Sequence, residues 1–286
     1  MGRANPELLA RRCRILRELR RFFDERDFIE VVTPVRIAAP APEEHIDCPV
    51  VPSPDGSAPA TYLRASPEIE MKKLLAAGMP RIYQLGPCFR EGERGSRHNP
   101  EFTMLEWYRL SADYLDILRD TEELFRALAG EPKLAFRRLT VREAYREFAD
   151  WDPWTDWNQD RFDFDMATKV EPALKALGGG VFLMDYPVAA ASLAKVRDDV
   201  AERWEFYYDG LELANCFTEL CDGEEQRRRF ERARANRREL GETDYPLDES
   251  FFDCLPLIGS ASGVALGIDR LVMVLTHQTD ISSVMA

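Results

Sequence analysis

The chain has 286 residues, 45% of them hydrophobic and 10% aromatic, so it can bury a substantial core. Its formal net charge of −13 argues against broad, non-specific nucleic-acid binding, which requires a basic surface, although a local basic patch is compatible with it. The six cysteines include no CxxC pair, and three histidines leave no zinc-binding spacing. No apolar run reaches the roughly 20 residues of a membrane span, and the amino terminus is too charged for a signal peptide. We therefore expect a cytoplasmic protein with reduced thiols.

The first part of the chain predicts a helix, a strand and a long loop. Asn5 and Pro6 are typical of a helix start, and apolar residues then recur at helical spacing up to Asp27. FIEVV, residues 28–32, predicts a strand. Residues 38–60 contain six prolines and little periodicity, which predicts a loop or an irregular hairpin. A loop of this length is often functional.

The rest of the chain predicts long strands separated by helices. The predicted strands are YLRAS, RIYQLGPCFRE, EFTMLEWYRL, VFLMDYP, GVALG and the hairpin RWEFYYDGLELANCFTEL. The predicted helices cover residues 67–77, 112–129, 140–148, 222–240 and IDRLVMVL, with a mixed region at 151–180. This arrangement indicates an α+β fold, an antiparallel β-sheet flanked by helices. No strand is followed by a Rossmann or P-loop glycine motif, which argues against those nucleotide sites.

The stretch FREGERGSRHNPEF, residues 89–102, concentrates positive charge in an acidic chain. Four of its side chains are donors suited to a polyphosphate: Arg90, Arg94, Arg97 and His98. Phe102 offers an apolar face on which a base could stack. The alternative interpretation is a hairpin tip that is charged because it is solvated.

The following predicted strand carries Glu106 and Tyr108 two residues apart, on the same face as Phe102 and Met104. A carboxylate and a phenol among apolar side chains are costly to bury without a partner. A ligand ammonium group is one candidate partner, and an internal arginine is the alternative.

Four polar residues of the predicted hairpin form a second candidate site. Glu205 and Glu212 flank the turn and could approach each other, which would give two oxygen ligands for Mg²⁺. Asn215 and Glu219 lie an even number of residues apart and therefore face one way. Acidic residues in a hairpin more often face solvent, which is the alternative interpretation.

A third candidate is GVALGIDRL, residues 263–271. Gly267 permits close backbone approach at a strand-to-helix junction, and Arg270 lies in the first turn of the predicted helix. A glycine before a helix is common, so this pattern alone indicates little.

Three stretches of the chain, two of them described above, resemble the signature motifs of class II aminoacyl-tRNA synthetases, in the same order. FFDERDFIEVVTPV resembles motif 1 (about 20–36), FRE…RHNPEFTMLEWY motif 2 (about 81–109) and GVALGIDRL motif 3 (about 262–275). RHNPEFTMLEWY is specific to the lysyl subgroup and its relatives, and SPEIEMKKLL, DGLELANCFTEL and MDYPVAAASLAK are similar to that subgroup. The resemblance implies a single class II catalytic domain over residues 1–286.

Two further features are similar to the elongation factor P–(R)-β-lysine ligase family. Motif 1 begins near residue 20, which leaves no room for the anticodon-binding barrel that lysyl-tRNA synthetases place before it. Ala265 stands where lysyl synthetases have glycine. The resemblance implies an enzyme that uses ATP and Mg²⁺ to form the adenylate of (R)-β-lysine or lysine. It would then transfer the amino acid to a lysine side chain of elongation factor P.

The same resemblance implies roles for individual residues. Arg90 would bind the α-phosphate and the substrate carboxylate, and Phe102 and Arg270 would enclose the adenine, so Arg90 and Arg270 are the expected catalytic residues. The rest of the ATP site would be Glu91, Gly92, Arg97, His98, Asn99, Glu212, Leu213 and Gly267. The amino-acid site would be Ser66, Glu68, Tyr108, Asn215, Glu219 and Ala265, and the Mg²⁺ ligands Glu205 and Glu212.

One position of motif 2 departs from the family pattern. The family has glutamate two residues after the motif arginine, whereas this chain has Gly92 there, between Glu91 and Glu93. The sequence therefore leaves open which carboxylate meets the adenine amine.

The partners and two rival functions follow from the same resemblance. Class II cores usually dimerise through motif 1, so a homodimer is expected. Residues 227–238 carry seven arginines and one glutamate, which could steer an acidic partner or could pair with acidic neighbours of a solvated helix. The rival functions are a stand-alone synthetase that charges tRNA or a small acceptor, and a non-catalytic regulatory paralogue. The acidic charge and the missing anticodon module argue against tRNA.

Overall fold

The computed structural model describes residues 5–43, 46–53 and 55–285. The helices of these residues are α1 (Pro6–Asp24), α2 (Glu68–Ala76), α3 (Tyr114–Ala129), α4 (Val141–Phe148), α5 (Gln159–Asp165), α6 (Glu171–Leu177), α7 (Gly223–Leu240), α8 (Glu249–Ile258) and α9 (Ile268–Leu275). Their strands are β1 (Ile29–Glu30), β2 (Arg36–Ile37), β3 (Val50–Val51), β4 (Thr61–Leu63), β5 (Arg81–Phe89), β6 (Glu101–Leu110), β7 (Phe136–Thr140), β8 (Gly180–Pro187), β9 (Val196–Arg197), β10 (Val200–Tyr208), β11 (Leu211–Thr218) and β12 (Ala261–Gly267). A π-helical turn, Met166–Val170, joins α5 to α6, and 3-10 turns lie at Val188–Ala190 and Ile281–Ser283.

Nine strands of the described residues form a central sheet in the order β1-β5-β6-β12-β11-β10-β8-β7, with β9 paired to β10. Neighbours from β5 to β8 in this order are antiparallel. The edge strands β1 and β7 instead run parallel to β5 and β8, because long connections rather than hairpins join them to those strands. The predicted α+β class is confirmed, whereas the predicted antiparallel sheet is corrected to a mixed one.

A second, smaller sheet lies in the proline-rich region. Among the described residues it has three strands in the order β2-β4-β3, all paired antiparallel. The predicted strand YLRAS corresponds to β4, and the predicted loop over residues 38–60 is irregular apart from β3. Three residues of that loop, Glu44, His45 and Pro54, lie outside the described residues.

One face of the central sheet is covered by α1, α3 and α9. The Asn5 side chain caps the first turn of α1, as the sequence predicts. The buried Phe23 ring stacks on Tyr83 with 4.6 Å between centroids and lies 5.3 Å from the ring of Trp107. Trp204 belongs to the same apolar cluster, which is the largest among the described residues.

The other face of the sheet is shared by two groups of helices. Helices α2, α7 and α8 pack with Ile82 and Tyr108, whereas α4 and α6 pack with Val181 and Leu183. Because side chains alternate along a strand, Glu106 projects from this second face while its neighbour Trp107 enters the large core. Polar strand residues therefore meet in the space between the two helix groups.

Neither β7 nor α8 is predicted from the sequence. The short β7 carries exposed arginines, so it has no clear alternation. Helix α8 contains Pro256, which interrupts the helical pattern of the sequence. All six cysteines lie within the described residues and are free thiols. No helix in the described ranges is both long and apolar enough to cross a bilayer.

Candidate active site

A cavity of about 330 Å³ lies against the second face of the sheet, over β6, β10, β11 and β12. Side chains at alternate positions of β6 line it, as do residues of the loop after β5 and of the first turn of α9. The cavity therefore gathers residues from the regions that resemble motifs 2 and 3.

Most of the predicted site residues line this cavity. They are Ser66, Glu68, Arg90, Arg97, His98, Asn99, Phe102, Tyr108, Glu205, Glu212, Leu213, Asn215, Glu219, Ala265, Gly267 and Arg270. Glu91 and Gly92 are exposed and lie outside the lining, whereas Glu93 is part of it. Gly92 has a φ of +76°, a conformation that favours glycine, and this turn separates Glu91 from Glu93. The structure thus places Glu93, and neither Glu91 nor Gly92, on the cavity, while the roles of the lining residues stay predictions.

One end of the cavity is rich in arginine. The guanidinium carbon of Arg90 lies 5.2 Å from the centroid of the Phe102 ring, and its Nη1 lies 3.5 Å from Oε1 of Glu93. The Nε of Arg90 is buried and has no hydrogen-bond partner among the described residues. Since buried donors are nearly always paired, a ligand oxygen is the partner that this group suits.

Arg270 is held at the same end by the protein itself. Its Nη1 donates to the carbonyl of Glu212 at 2.9 Å and its Nε to the carbonyl of Arg97 at 3.2 Å. Its Nη2 lies 2.7 Å from Nε2 of His98. Burial, and then the charge of Arg270, lower the pKa of His98, so this imidazole is neutral at pH 7. His98 therefore adds no positive charge to the arginine end.

The two hairpin carboxylates line the cavity but do not face each other directly. A register shift between Phe206 and Tyr207 places Glu212 opposite Tyr207, whereas Glu205 pairs with Asn215. Burial, and then the charge of Glu205, raise the pKa of Glu212, so the two carboxylates are close enough to interact. The described residues include no cluster of three or more histidine, cysteine or acidic side chains suited to a metal. Two carboxylates nevertheless fit an ion that takes its other ligands from phosphate and water.

Arg203 is a lining residue that the sequence analysis missed. Its Nη2 donates to Oε1 of Glu205 at 2.6 Å and its Nε to Oδ1 of Asn215 at 3.2 Å. Its guanidinium carbon also lies 4.3 Å from the centroid of the Tyr186 ring. The available signal was strand alternation, because Arg203 and Glu205 are two residues apart and so share a face. Arg203 therefore holds two of the four predicted site residues of the hairpin, Glu205 and Asn215.

The opposite end of the cavity is acidic. Tyr108 donates its hydroxyl to Oε2 of Glu106 at 2.9 Å, so one oxygen of this carboxylate has a partner within the protein, and the suggested ligand ammonium group stays a prediction. Oε1 of Glu106 is buried and has no hydrogen-bond partner in the described part of the chain. Burial, and then the charge of Glu68, raise the pKa of Glu106 to about 8. A ligand ammonium group would satisfy the free oxygen.

Two small residues of β12 shape the acidic end. A Cβ at Gly263 would lie 2.1 Å from Cδ1 of Tyr108, so glycine is needed for that ring to lie across the strand. Ala265 pairs with Glu106 of β6 on one side and with Asn215 of β11 on the other. Its methyl group therefore lies among the predicted amino-acid ligands.

Gly267, at the end of β12, has room for a side chain next to the described protein atoms. A Cβ there would lie 3.9 Å from the carbonyl oxygen of Leu213 and 4.0 Å from Cδ of Arg270, which are ordinary contacts. The close approach that the sequence suggested for Gly267 is therefore not made by the described protein atoms. The residue does line the cavity, where a ligand could approach the backbone.

The arginine-rich segment 227–238 lies in α7 and is largely paired with acidic neighbours. Within the described residues, six of its seven arginines form ion pairs with carboxylates. These are Arg227 with Glu249, Arg228 and Arg229 with Glu225, Arg234 and Arg238 with Asp244, and Arg237 with Asp47 and Glu242. The structure therefore favours the interpretation of internal pairing over a docking surface.

Comparisons with known proteins show the family to which the chain belongs. A family model described as tRNA synthetases class II (D, K and N) matches residues 3–286. The elongation factor P–(R)-β-lysine ligase of Proteus mirabilis is 36% identical over 308 aligned positions, which cover 97% of this chain and 94% of the relative. The ligases of the same name from Actinobacillus succinogenes and Yersinia enterocolitica are 37% and 36% identical, covering 99% and 97% of this chain and 95% and 94% of the relatives.

The chain therefore belongs to the class II tRNA synthetase family of the D, K and N type. Within that class it is a member of the elongation factor P–(R)-β-lysine ligase family. The resemblance seen in the three motifs is thus confirmed.

Proposed function

We propose that this chain is an ATP-dependent ligase that converts (R)-β-lysine, or lysine, into an aminoacyl-adenylate and transfers it to a lysine side chain of elongation factor P. One observation carries the proposal: a single cavity is lined both by arginines, among them Arg90 and Arg270, and by the buried carboxylates of Glu106 and Glu219. Guanidinium groups suit phosphate and carboxylate oxygens, and buried carboxylates suit ammonium groups. Relatives named for this reaction cover nearly all of the chain, which supports the choice of acceptor.

In the first step, an oxygen of the amino-acid carboxylate attacks the α-phosphorus of ATP and pyrophosphate leaves. The carboxylate is already ionised at pH 7, so no general base is needed. Catalysis then depends on alignment and on neutralising the charge of the phosphate groups. Arg90 and Arg270 line the same end of the cavity and can supply both.

In the second step, the amine nitrogen of the acceptor lysine attacks the carbonyl carbon of the adenylate and AMP leaves. A lysine amine has an ordinary pKa of about 10.4, so it must lose a proton to become a nucleophile. An amide bond to the acceptor forms as the mixed anhydride bond breaks.

Glu205 and Glu212 are the residues that would hold Mg²⁺. Protein sites for this ion commonly use one or two carboxylates and leave other positions to phosphate and water. Both residues line the cavity, and Arg203 orients Glu205. When bound, the ion would neutralise part of the triphosphate charge.

Exchange of pyrophosphate into ATP, measured with a panel of amino acids, tests the first step. We expect exchange with (R)-β-lysine or lysine, and a loss of roughly 100-fold or more in Arg90→Ala, because a donor to the developing charge is removed. Arg94→Ala is the matched control, since Arg94 is in the same loop but is exposed and outside the cavity lining. Exchange that persists in Arg90→Ala, or that no amino acid supports, would contradict the proposal.

Labelling of elongation factor P, compared with charging of tRNA, tests the second step. The net charge of −13 disfavours a tRNA acceptor, so we expect label in the protein and none in tRNA. A non-catalytic paralogue is disfavoured because Arg90, Arg270, Glu205 and Glu212 are present and line one cavity. Label in tRNA alone would favour the stand-alone synthetase instead.

We further propose that the protein forms a homodimer in the cytoplasm. Near the edge strand β1, Val32 is 93% exposed and Ile29 is 49% exposed. Large exposed apolar side chains at a sheet edge are typical of a surface that a partner covers. Both residues belong to FFDERDFIEVVTPV, the segment that resembles motif 1.

A further inference from the structure

A buried lysine lies beneath the acidic end of the cavity. Lys72 is on α2, and its side chain is 0% exposed. Its Nζ lies 2.5 Å from Oε1 of Glu68 and 2.5 Å from Oε2 of Glu219. Both glutamates line the cavity, whereas Lys72 is not among the lining residues. Any effect of Lys72 on a ligand is therefore exerted through these two carboxylates.

The charges at this end favour a ligand with two ammonium groups. Glu68, Glu106 and Glu219 contribute three carboxylates, and Lys72 contributes one ammonium group. The cluster then has a formal charge of −2 when every carboxylate is ionised. A diamino acid whose own carboxylate lies at the arginine end brings a charge of +2 to the acidic end. Without Lys72 the cluster would carry −3, and its carboxylates would repel one another or take up protons.

We infer that Lys72 is a positioning residue for the amino-acid substrate: its ammonium group holds Glu68 and Glu219 together and sets the pocket charge that a diammonium substrate neutralises. The inference rests on the proposed function and concerns the same cavity. It explains why α2 keeps an ammonium group on its buried face, where an apolar side chain would avoid the cost of desolvation.

The titratable groups of the cluster are coupled. Burial alone would lower the pKa of Lys72, but the carboxylates of Glu219 and Glu68 raise it, so Lys72 stays protonated. Burial raises the pKa of Glu106 to about 8, and burial also raises the pKa of Glu219 against the lowering effect of Lys72. The other titratable or charged groups around the cluster are Glu43 after β2, Arg64 after β4, Cys88 on β5, Tyr108 on β6, Cys221 after β11 and Cys254 on α8.

These shifts predict how binding depends on pH. In the free site the buried carboxylates hold protons near neutral pH, and a diammonium ligand must displace them. The affinity for the amino acid should therefore rise with pH across roughly pH 6 to 8. The charge of Lys72 lowers the pKa of Glu219, so the affinity for the amino acid rises near neutral pH and not at higher pH.

Lys72→Met tests the inference, because it removes the charge and keeps most of the side-chain volume. The pKa of Glu219 should rise further, so the pH profile of kcat/KM for the amino acid should move by about 1 unit to higher pH. At pH 7 the KM for the amino acid should rise roughly tenfold or more, whereas the KM for ATP should stay within about twofold. Pyrophosphate exchange from about pH 6 to 9 measures all three quantities.

Three further variants make the result specific. Lys73→Met is the matched control, since Lys73 is the next residue of α2 but pairs with Glu70 and Asp248 outside the cavity. We expect the wild-type pH profile from it. Lys72→Gln is also neutral and its amide can donate to one carboxylate, so it gives the same test should Lys72→Met fail to fold. Lys72→Arg keeps the charge and should keep the pH profile even where its larger side chain weakens binding.

The outcomes separate the inference from the proposed function. A wild-type protein that supports exchange with no diamino acid contradicts the proposed function. A wild-type protein that is active, with neutral variants that keep the wild-type pH profile, overturns the role of Lys72 alone. An equal rise in the KM for ATP and for the amino acid would also overturn it, because the loss would then be general. A shifted profile in both neutral variants, absent from Lys73→Met and Lys72→Arg, supports the inference.

Discussion

Ala265 is a residue whose methyl group can influence which amino acid fits the cavity. It lies on β12 between Glu106 and Asn215, at the acidic end. A methyl group against one wall of a pocket shifts or shortens the bound chain. The amines of α-lysine and (R)-β-lysine differ by one carbon position, which is a displacement of this size.

Ala265→Gly should raise activity toward α-lysine relative to (R)-β-lysine, because it removes that methyl group. Steric discrimination of this size is worth ~1–3 kcal/mol, or about 10- to 200-fold in kcat/KM. Pyrophosphate exchange with each isomer measures the ratio. Ala261→Gly, on the same strand and outside the cavity lining, should leave the ratio unchanged. An unaltered preference in Ala265→Gly would remove this residue from the explanation of specificity.

Strand patterns and the family resemblance together made many individual residues of the cavity predictable from the sequence. Alternation put Glu106 and Tyr108 on one face of β6, which the structure confirms. Lys72 went unnoticed, although its spacing of three residues from Ile69 and Leu75 places it on the buried face of α2. Helical spacing indicates its partner Glu68, four residues earlier, but Glu219 is distant in sequence and reaches Lys72 only through the fold.

At the scale of elements, α7 does more than carry charge on the surface. Arg237 is buried, and its Nη1 donates to the backbone carbonyls of Glu43 at 2.7 Å and Ile46 at 3.2 Å. Its Nη2 lies 2.5 Å from Oδ1 of Asp47. Glu43 and Ile46 line the cavity, so this helix holds part of the proline-rich segment against the site.

Arg237→Met should destabilise the protein by roughly 1–3 kcal/mol, because it removes the buried donor to three backbone carbonyl groups, those of Glu43, Ile46 and Thr243, together with its two ion pairs. It should also raise the KM for substrates, since Glu43 and Ile46 lose their support. Urea unfolding and pyrophosphate exchange measure the two effects. Arg238→Met is the control: Arg238 is 53% exposed and pairs with Asp244, so its loss should cost less than about 1 kcal/mol. Equal effects of the two variants would show that burial of Arg237 does not matter.

Most elements follow from periodicity and turn chemistry. The hairpin of β10 and β11 was predicted from its Asp-Gly turn, and α1 from its cap and apolar spacing. The register shift within the hairpin was not predictable, because it depends on backbone pairing rather than on residue type. Without the shift, the pairing next to the turn would place Glu205 opposite Ala214 instead of Asn215.

At the scale of the whole molecule, strands from distant parts of the chain complete the site. Strand β6 pairs with β12, so residues near position 106 meet residues near position 265. The resemblance to a family placed residues of these two stretches in one expected site, but no pairing between the two strands was predicted from the sequence. The parallel edge strands were not predicted, since their pairing depends on long connections whose path the sequence does not specify.

Val32→Glu should convert the proposed homodimer to a monomer, because it places a charge in an apolar contact at the sheet edge. Sedimentation velocity of the wild type and the variant measures the change. Val50→Glu is the matched control, since Val50 is also exposed, at 52%, but lies in the smaller sheet. A wild-type protein that sediments as a monomer would contradict the proposal.

The three contacts of Arg270 have a consequence for the entropy of ligand binding. Its guanidinium group is immobilised by Glu212, Arg97 and His98 in the ligand-free protein. Ordering a flexible side chain on association costs about 0.5–1.5 kcal/mol. A nucleotide that lies against this residue would avoid that cost, because folding has already fixed the rotamer. The end of the cavity that we propose for the nucleotide is therefore preorganised by the fold itself.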